Sequence, residues 1–264
     1  MQQIIIGFII AILIAFAAYR AHSLNRSGAF AAILVGGIIF GMGGWQWAIL
    51  LLTFFITSSA LTRAFKKRKH GLDEKFSKGG QRDAGQVFGN GGLATVFAGL
   101  HFFYPDASWL WLAFAACLAA VNADTWATEL GVLSKSAPRM ITNITKEVEK
   151  GTSGGISLVG TLAALSGSAL IGLLAALLNP YDAPWTLGIA VTVAGLLGCM
   201  FDSLLGGTVQ AMYYCPTCQK ETERHPLHTC GSATTLKRGL PWLDNDIVNL
   251  GCAIFAVGVA FLLS

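Results

Sequence analysis

The sequence predicts an all-α protein: a polytopic transmembrane helical bundle of about eight spans, residues 1–264 forming one integral-membrane domain with a small cytoplasmic Cys/His metal loop. Three observations predict it. Of 264 residues, 54% are hydrophobic and 12% charged, whereas a soluble domain carries about 25% charged residues. Apolar runs close to the roughly 20 residues needed to cross a bilayer recur from one end to the other. The Lys and Arg residues fall only in alternate connections between those runs, as the positive-inside rule requires. An ordinary water-soluble enzyme is excluded.

The spans are read as 3–19, 27–42, 45–61, 86–104, 108–131, 155–178, 186–212 and 245–263. In the first, Ala15-Phe16-Ala17 fits a signal-cleavage pattern, but no basic residue precedes Ile4 and Arg20 and Arg26 follow. It therefore reads as an uncleaved anchor with its N-terminus outside. The second and third are short, glycine-rich and separated only by Gly43-Gly44, which fits either a helical hairpin or a re-entrant pair. All 18 Lys and Arg lie in four connections: 20–26, 62–84, 132–154 and 213–244. The remaining connections, around Gly43, Asp106 and Asp182, contain none. Both termini are thus expected outside a bacterial inner membrane, with four cytoplasmic loops. The net charge of +4 orients the chain toward anionic membrane lipids, and no nucleic-acid partner is needed to explain it. The run Lys66-Lys67-Arg68-Lys69 is either topological or a phosphate-attracting patch.

Polar residues inside the spans gather at their cytoplasmic ends. Span five carries Asn122, Asp124, Thr128 and Glu129; span seven carries Asp202-Ser203. Arg82, Gln86 and Asn90 repeat at i, i+4, i+8 at the start of span four, and Asp246 and Asn249, preceded by Asn245, open span eight. Asp124 and Glu129 are about 140° apart on an ideal helix, so they have separate roles unless the helix bends. Gly198 and Gly206 flank Asp202 at i−4 and i+4, a small-residue track for a neighbouring helix. Ionisable groups at this depth are costly and generally face a cavity. Three gathered acids repel unless they share a proton or cation, and hard oxygen ligands suit Mg²⁺.

A phosphate partner has its own signal. Lys146-Glu147-Val148-Glu149-Lys150-Gly151-Thr152-Ser153-Gly154-Gly155 runs into span six, and glycines at a helix start expose N–H groups to an anion. The alternative is a flexible loop entering a membrane helix; no Walker A pattern is present. Among six cysteines, Cys117, Cys199 and Cys252 lie in apolar spans as small core residues. Cys215 and Cys218, with His228 and Cys230 following, match a four-coordinate structural Zn²⁺ site in the 213–244 loop, with His225 as the rival imidazole.

The blocks Gly85-Gln86-Val87-Phe88-Gly89-Asn90-Gly91-Gly92, Ala123-Asp124-Thr125-Trp126-Ala127-Thr128-Glu129-Leu130-Gly131, Gly151-Thr152-Ser153-Gly154-Gly155, Phe201-Asp202-Ser203-Leu204-Leu205-Gly206 and Trp242-Leu243-Asp244-Asn245-Asp246 resemble the signature of one integral-membrane family. It includes the plant and cyanobacterial phytyl-phosphate kinases and many uncharacterised members. The resemblance implies phosphoryl transfer from a nucleoside triphosphate, CTP among the candidates, to an isoprenoid monophosphate. A looser analogy links the same blocks to dolichol and phytol kinases and CDP-diacylglycerol synthases. On this reading Asp124, Asp202 and Asp246 hold Mg²⁺, Arg82 and Lys146 neutralise phosphates, and Glu129 orients Arg82 or a metal-bound water. Gly151, Thr152, Ser153, Gly154 and Gly155 cradle phosphate, and Gln86, Asn90, Asn122, Thr128, Lys150, Ser203, Asn245 and Asn249 complete the substrate and nucleotide contacts. A transporter or flippase of a phosphorylated lipid is the alternative, and a binding or scaffolding membrane protein a third. A homo-oligomer is compatible with the sequence.

Overall fold

The computed structural model describes residues 1–65, 75, 78–181 and 183–264. The Lys66–Lys69 run and Asp182 lie outside the described residues. Eight α-helices are described: α1 (Gln2–Arg20), α2 (Arg26–Ile38), α3 (Trp45–Phe65), α4 (Ala84–Phe103), α5 (Trp109–Gly131), α6 (Leu158–Leu177), α7 (Pro184–Thr208) and α8 (Asn245–Leu263). They match the eight expected spans within a few residues. A π turn, Ile39–Gly43, continues α2, and Gly44 at φ +96° reverses the chain into α3. Both arms of this hairpin are long and apolar enough to cross a membrane. Among the described residues seven helices meet that test, and α4, loaded with glycine and carrying Gln86 and Asn90, does not.

The bundle is organised around α5. Every residue from Leu110 to Ala123 is buried, because α3, α4, α6, α7 and α8 all pack on this helix. A helix apolar on all sides belongs in the centre of a bundle, and its many alanines let neighbours approach closely. Trp111 satisfies its indole N–H on the Ala175 carbonyl at 3.1 Å, across to α6. The periphery is inverted relative to a soluble protein: Ile5, Ile9, Leu13 and Phe16 of α1, Leu162 and Leu173 of α6 and Ile189 of α7 are exposed. That is the composition a hydrocarbon surround accepts.

Two connections expected as loops fold into small antiparallel sheets. Between α5 and α6, β1 (Arg139–Met140), β2 (Asn143–Glu147) and β3 (Gly155–Ile156) pair in the order β2-β1-β3. Between α7 and α8, β4 (Met212–Cys215), β5 (Lys220–Thr222) and β6 (Thr235–Arg238) pair in the order β5-β4-β6. Strand β4 takes over at Met212, so α7 stops at Thr208, short of the expected 212. The ends of α3, α5 and α7 and the starts of α4, α6 and α8 meet at one end of the bundle, hereafter the basic end. In sealed vesicles, an impermeant maleimide should label Lys135→Cys and Asp106→Cys from opposite faces, above the background of the native thiols. Labelling of both from the same face would overturn the expected topology.

Candidate functional site

The basic end encloses a cavity of about 700 Å³. Its walls follow from local capping. Asp83 caps α4: its side chain accepts from Gln86 N at 2.9 Å while Gln86 Oε1 accepts from Asp83 N at 3.2 Å. Ser157 caps α6, accepting from Gly160 N at 3.1 Å, and Asp244 caps α8, accepting from Asp246 N and Ile247 N. Three helix N-termini, each with its positive dipole end, therefore converge on the same space.

Most residues expected at the site line this cavity: Arg82, Gln86 and Asn90 from the α4 region, Asp124, Thr128 and Glu129 from α5, and Asp202 and Ser203 from α7. Asn245 and Asn249 of α8 and Lys150, Gly151, Thr152, Ser153, Gly154 and Gly155 complete it. The glycine loop rests on α7. Gly154 has φ +85°, and a Cβ there would collide with the backbone of Gly207. Close approach also explains Gly89, whose Cβ would lie 2.8 Å from the Asp246 carbonyl oxygen.

The charges have defined neighbours. Glu129 is buried and accepts from Thr62 Oγ1 at 2.8 Å. The Arg82 guanidinium lies over the Phe54 and Phe55 rings, 5.2 and 5.5 Å from their centroids. Burial pulls it down to about 10 against the supporting charge of Glu129, so it stays protonated at neutral pH. Its Nη1 is enclosed without a hydrogen-bond partner among the described residues. Lys150 Nζ donates to the Val132 and Ser134 carbonyls, at 3.0 and 2.5 Å, covering the end of α5. Asp202 feels the charges of Asp124 and Glu223, and its Oδ2 is enclosed with no hydrogen-bond partner among the described residues. Such oxygens suit a hard divalent cation. The three acids are not a tight quartet-like cage, because among the described residues the Cys/His cluster is the group that could hold a metal through ligand atoms all within 4.8 Å. A cation bound here would complete its shell with water and ligand oxygens.

Three expected site residues stand elsewhere. Asn122 is fully buried and spent on packing: its Nδ2 donates to the Gly167 carbonyl at 2.8 Å and its Oδ1 accepts from Ser58 and Thr57. Lys146 is exposed on β2, a strand whose five residues are all exposed and none of which lines the cavity. Asp246 does not line the cavity either; its Oδ2 pairs with Lys78, which also donates to Asp83 Oδ1 at 2.9 Å. Three charged lining residues were not expected: Arg63, Lys78 and Glu223. Lys78 lies in the basic connection among many other cations, and Glu223 follows β5 in the Cys/His loop, where no helical periodicity could flag it.

The Cys/His loop brings together Cys215, Cys218, His228 and Cys230, with ligand atoms all within 4.8 Å of one another. This fits one ion in tetrahedral coordination. Cys218 N donates to Cys215 Sγ at 3.5 Å, and His228 Nδ1 lies 3.3 Å from Cys230 Sγ. Hydrogen bonds from Ser232 and then His228 pull the Cys230 thiol down to about 5. His225 is absent from the cluster; its ring stacks on Tyr213 at 4.4 Å. The loop is tied to the cavity: Gln210 Nε2 donates to Glu223 Oε1 at 3.0 Å, and Ser153 Oγ donates to Gln210 Oε1 at 2.8 Å.

A family profile described as integral membrane protein DUF92 matches residues 9–257. Protein PGR of Arabidopsis thaliana is 35% identical over 94% of this chain and 91% of its own. An uncharacterised membrane protein of Methanocaldococcus jannaschii is 32% identical over 77% and 82% of the two chains. The chloroplastic protein VTE6 of Arabidopsis thaliana is 25% identical over 86% of this chain and 61% of its own. No solved structure matches the chain.

The Cys/His geometry generates a direct test. Protein purified without chelator should contain about one metal ion per chain. His228→Ala and Cys218→Ser should lose it together with thermal stability, whereas His225→Ala should keep it. Elemental analysis that finds no metal in the unaltered protein would defeat the assignment.

Proposed function

The chain belongs to the DUF92 family of integral membrane proteins, and from that premise we propose that it is a membrane phosphotransferase acting on an isoprenoid monophosphate. The donor is a nucleoside triphosphate, CTP by the motif resemblance, and the product is the isoprenoid diphosphate. The observation that carries this reading is the cavity at the basic end, where acids, fixed cations and a glycine-rich helix entry face one another.

Phosphoryl transfer demands positioning and charge neutralisation more than covalent chemistry. An oxygen of the isoprenoid phosphate attacks the terminal phosphorus of the triphosphate, one P–O bond forms, the bridging P–O bond breaks, and the nucleoside diphosphate leaves. The attacking monoester is already ionised, so no general base is required. Arg82, Lys78 and Lys150 supply positive charge around the phosphates. Backbone N–H groups of Gly151, Ser153 and Gly154 and the N-terminus of α6 would meet the anion, while Thr152 N and Gly155 N donate within the loop to the Glu149 and Thr152 carbonyls. Asp124 and Asp202, with Glu223 beside them, would hold Mg²⁺, which screens the phosphate oxygens from one another when bound. Zinc is our choice for the Cys/His cluster, since three thiolates and an imidazole suit it. The cavity opens to the compartment that supplies nucleotide.

A transporter would need a polar route to the opposite end. Residues Leu110 to Val121 of α5 are buried and apolar there, which favours the enzyme.

Asp124→Asn and Asp202→Asn change charge with little change in volume. They should lower turnover of a prenyl phosphate by about a hundredfold or more while the melting temperature holds or rises as repulsion is relieved. Both quantities are to be read in the same preparation. If the unaltered protein forms no nucleotide-dependent product from any prenyl phosphate, yet both variants stop lipid-phosphate movement in vesicles, the transporter reading replaces this one.

A further inference from the structure

A second recess lies beside the cavity, between α1, α2, α3 and α4. Apart from Arg82, Gln86 and Asn90, every residue lining it is apolar or glycine. Those three residues also line the polar cavity. The i, i+4, i+8 stripe at the start of α4 is therefore a partition with charge on one side and hydrocarbon on the other. Helix α1 packs on α2 and the π turn, whereas α3 packs on α5, and α1 and α3 hardly touch. The recess is the gap this arrangement leaves.

Two features identify its occupant as an amphiphile with an anionic head. Arg82 stands at the boundary with its guanidinium over Phe54 and Phe55, both of which line the apolar recess. Its enclosed Nη1 has no acceptor among the described residues, and an unmet donor of this kind is costly unless a ligand oxygen fills it. The walls beyond it are small on α1 (Ala15, Ala18) and branched or aromatic on α3, as suits an extended hydrocarbon chain.

We propose that this recess is the tail-binding site for the isoprenoid phosphate, with the phosphate meeting Arg82 at the partition and the hydrocarbon chain lying between α1, α2 and α3. The inference rests on the phosphotransferase reading for its substrate class and adds the placement of the tail and the control of chain length. Ala32 on α2 and Leu52 on α3 are both half-buried lining residues of the recess, so enlarging either narrows it.

The test uses the full-length protein in nanodiscs and a prenyl phosphate carrying a photoreactive diazirine at its tail end, without nucleotide. Label should map to α1–α3, be displaced by unmodified farnesyl phosphate, and fall in Ala32→Phe. With nucleotide, the same variant should shift the preference for geranyl over geranylgeranyl phosphate by roughly tenfold, the effect of excluding about two methylene groups. Leu52→Trp repeats the test from the opposite wall should Ala32→Phe fail to fold. Label on α6–α8, or label displaced equally by phosphatidylglycerol, would overturn the proposal, the latter marking the recess as a berth for ordinary membrane lipid. Specific label in α1–α3 without turnover would keep the tail site and sink the kinase. Turnover with the label elsewhere would do the reverse.

Discussion

A charge enclosed at the end of an apolar bundle must be met by opposite charge, hydrogen-bond donors or a bound ligand, and this requirement organises the basic end of the protein. Lys78 is shared between Asp83 and Asp246, and Lys150 covers the carbonyls that end α5. What remains unmet is informative. Arg82 Nη1 and Asp202 Oδ2, one donor and one acceptor lining the same cavity, have no hydrogen-bond partner among the described residues. An anionic group beside the first and a cation beside the second would complete both, which is the pair a metal-bound phosphate supplies.

The opposite property of α5 makes such a site affordable. Its apolar, alanine-rich body lets five helices pack on it, and burial of that surface is what holds the polar ends in register. Asn122 marks the transition: about two turns before Glu129, it joins α5 to α3 and α6 by hydrogen bonds.

The helices were legible because span length and the placement of every Lys and Arg are strong, redundant signals. The site was legible wherever helical spacing turned sequence into a face, as with Arg82, Gln86 and Asn90. It failed where spacing carries no face information. Lys146 sits on a strand, Glu223 follows a strand in a metal loop, and Lys78 is one cation among many in its connection. Asp246 has the right depth, yet the direction of its carboxylate is set by Lys78, a partner far away in sequence. The choice of His228 over His225 likewise rests on three-dimensional packing, because Tyr213 takes the other ring.

The Cys/His loop reaches into the cavity. Strand β4 follows directly on α7, and Ala211 N donates to the Leu243 carbonyl at 2.9 Å, closing the loop at its base. From there Gln210 holds Glu223 on one side and Ser153 on the other, while Arg238 donates to the Gly206 carbonyl at 2.8 Å. Lys75 adds a third strut: its carbonyl accepts from Glu223 N, and its Nζ binds Glu149 and the Lys150 carbonyl. The glycine loop, Lys75 and the Cys/His loop are thus one hydrogen-bonded unit. Cys215, Cys218, His228 and Cys230 could hold a metal within this unit, and a metal bound there would stiffen the segment that carries Glu223 to the cavity.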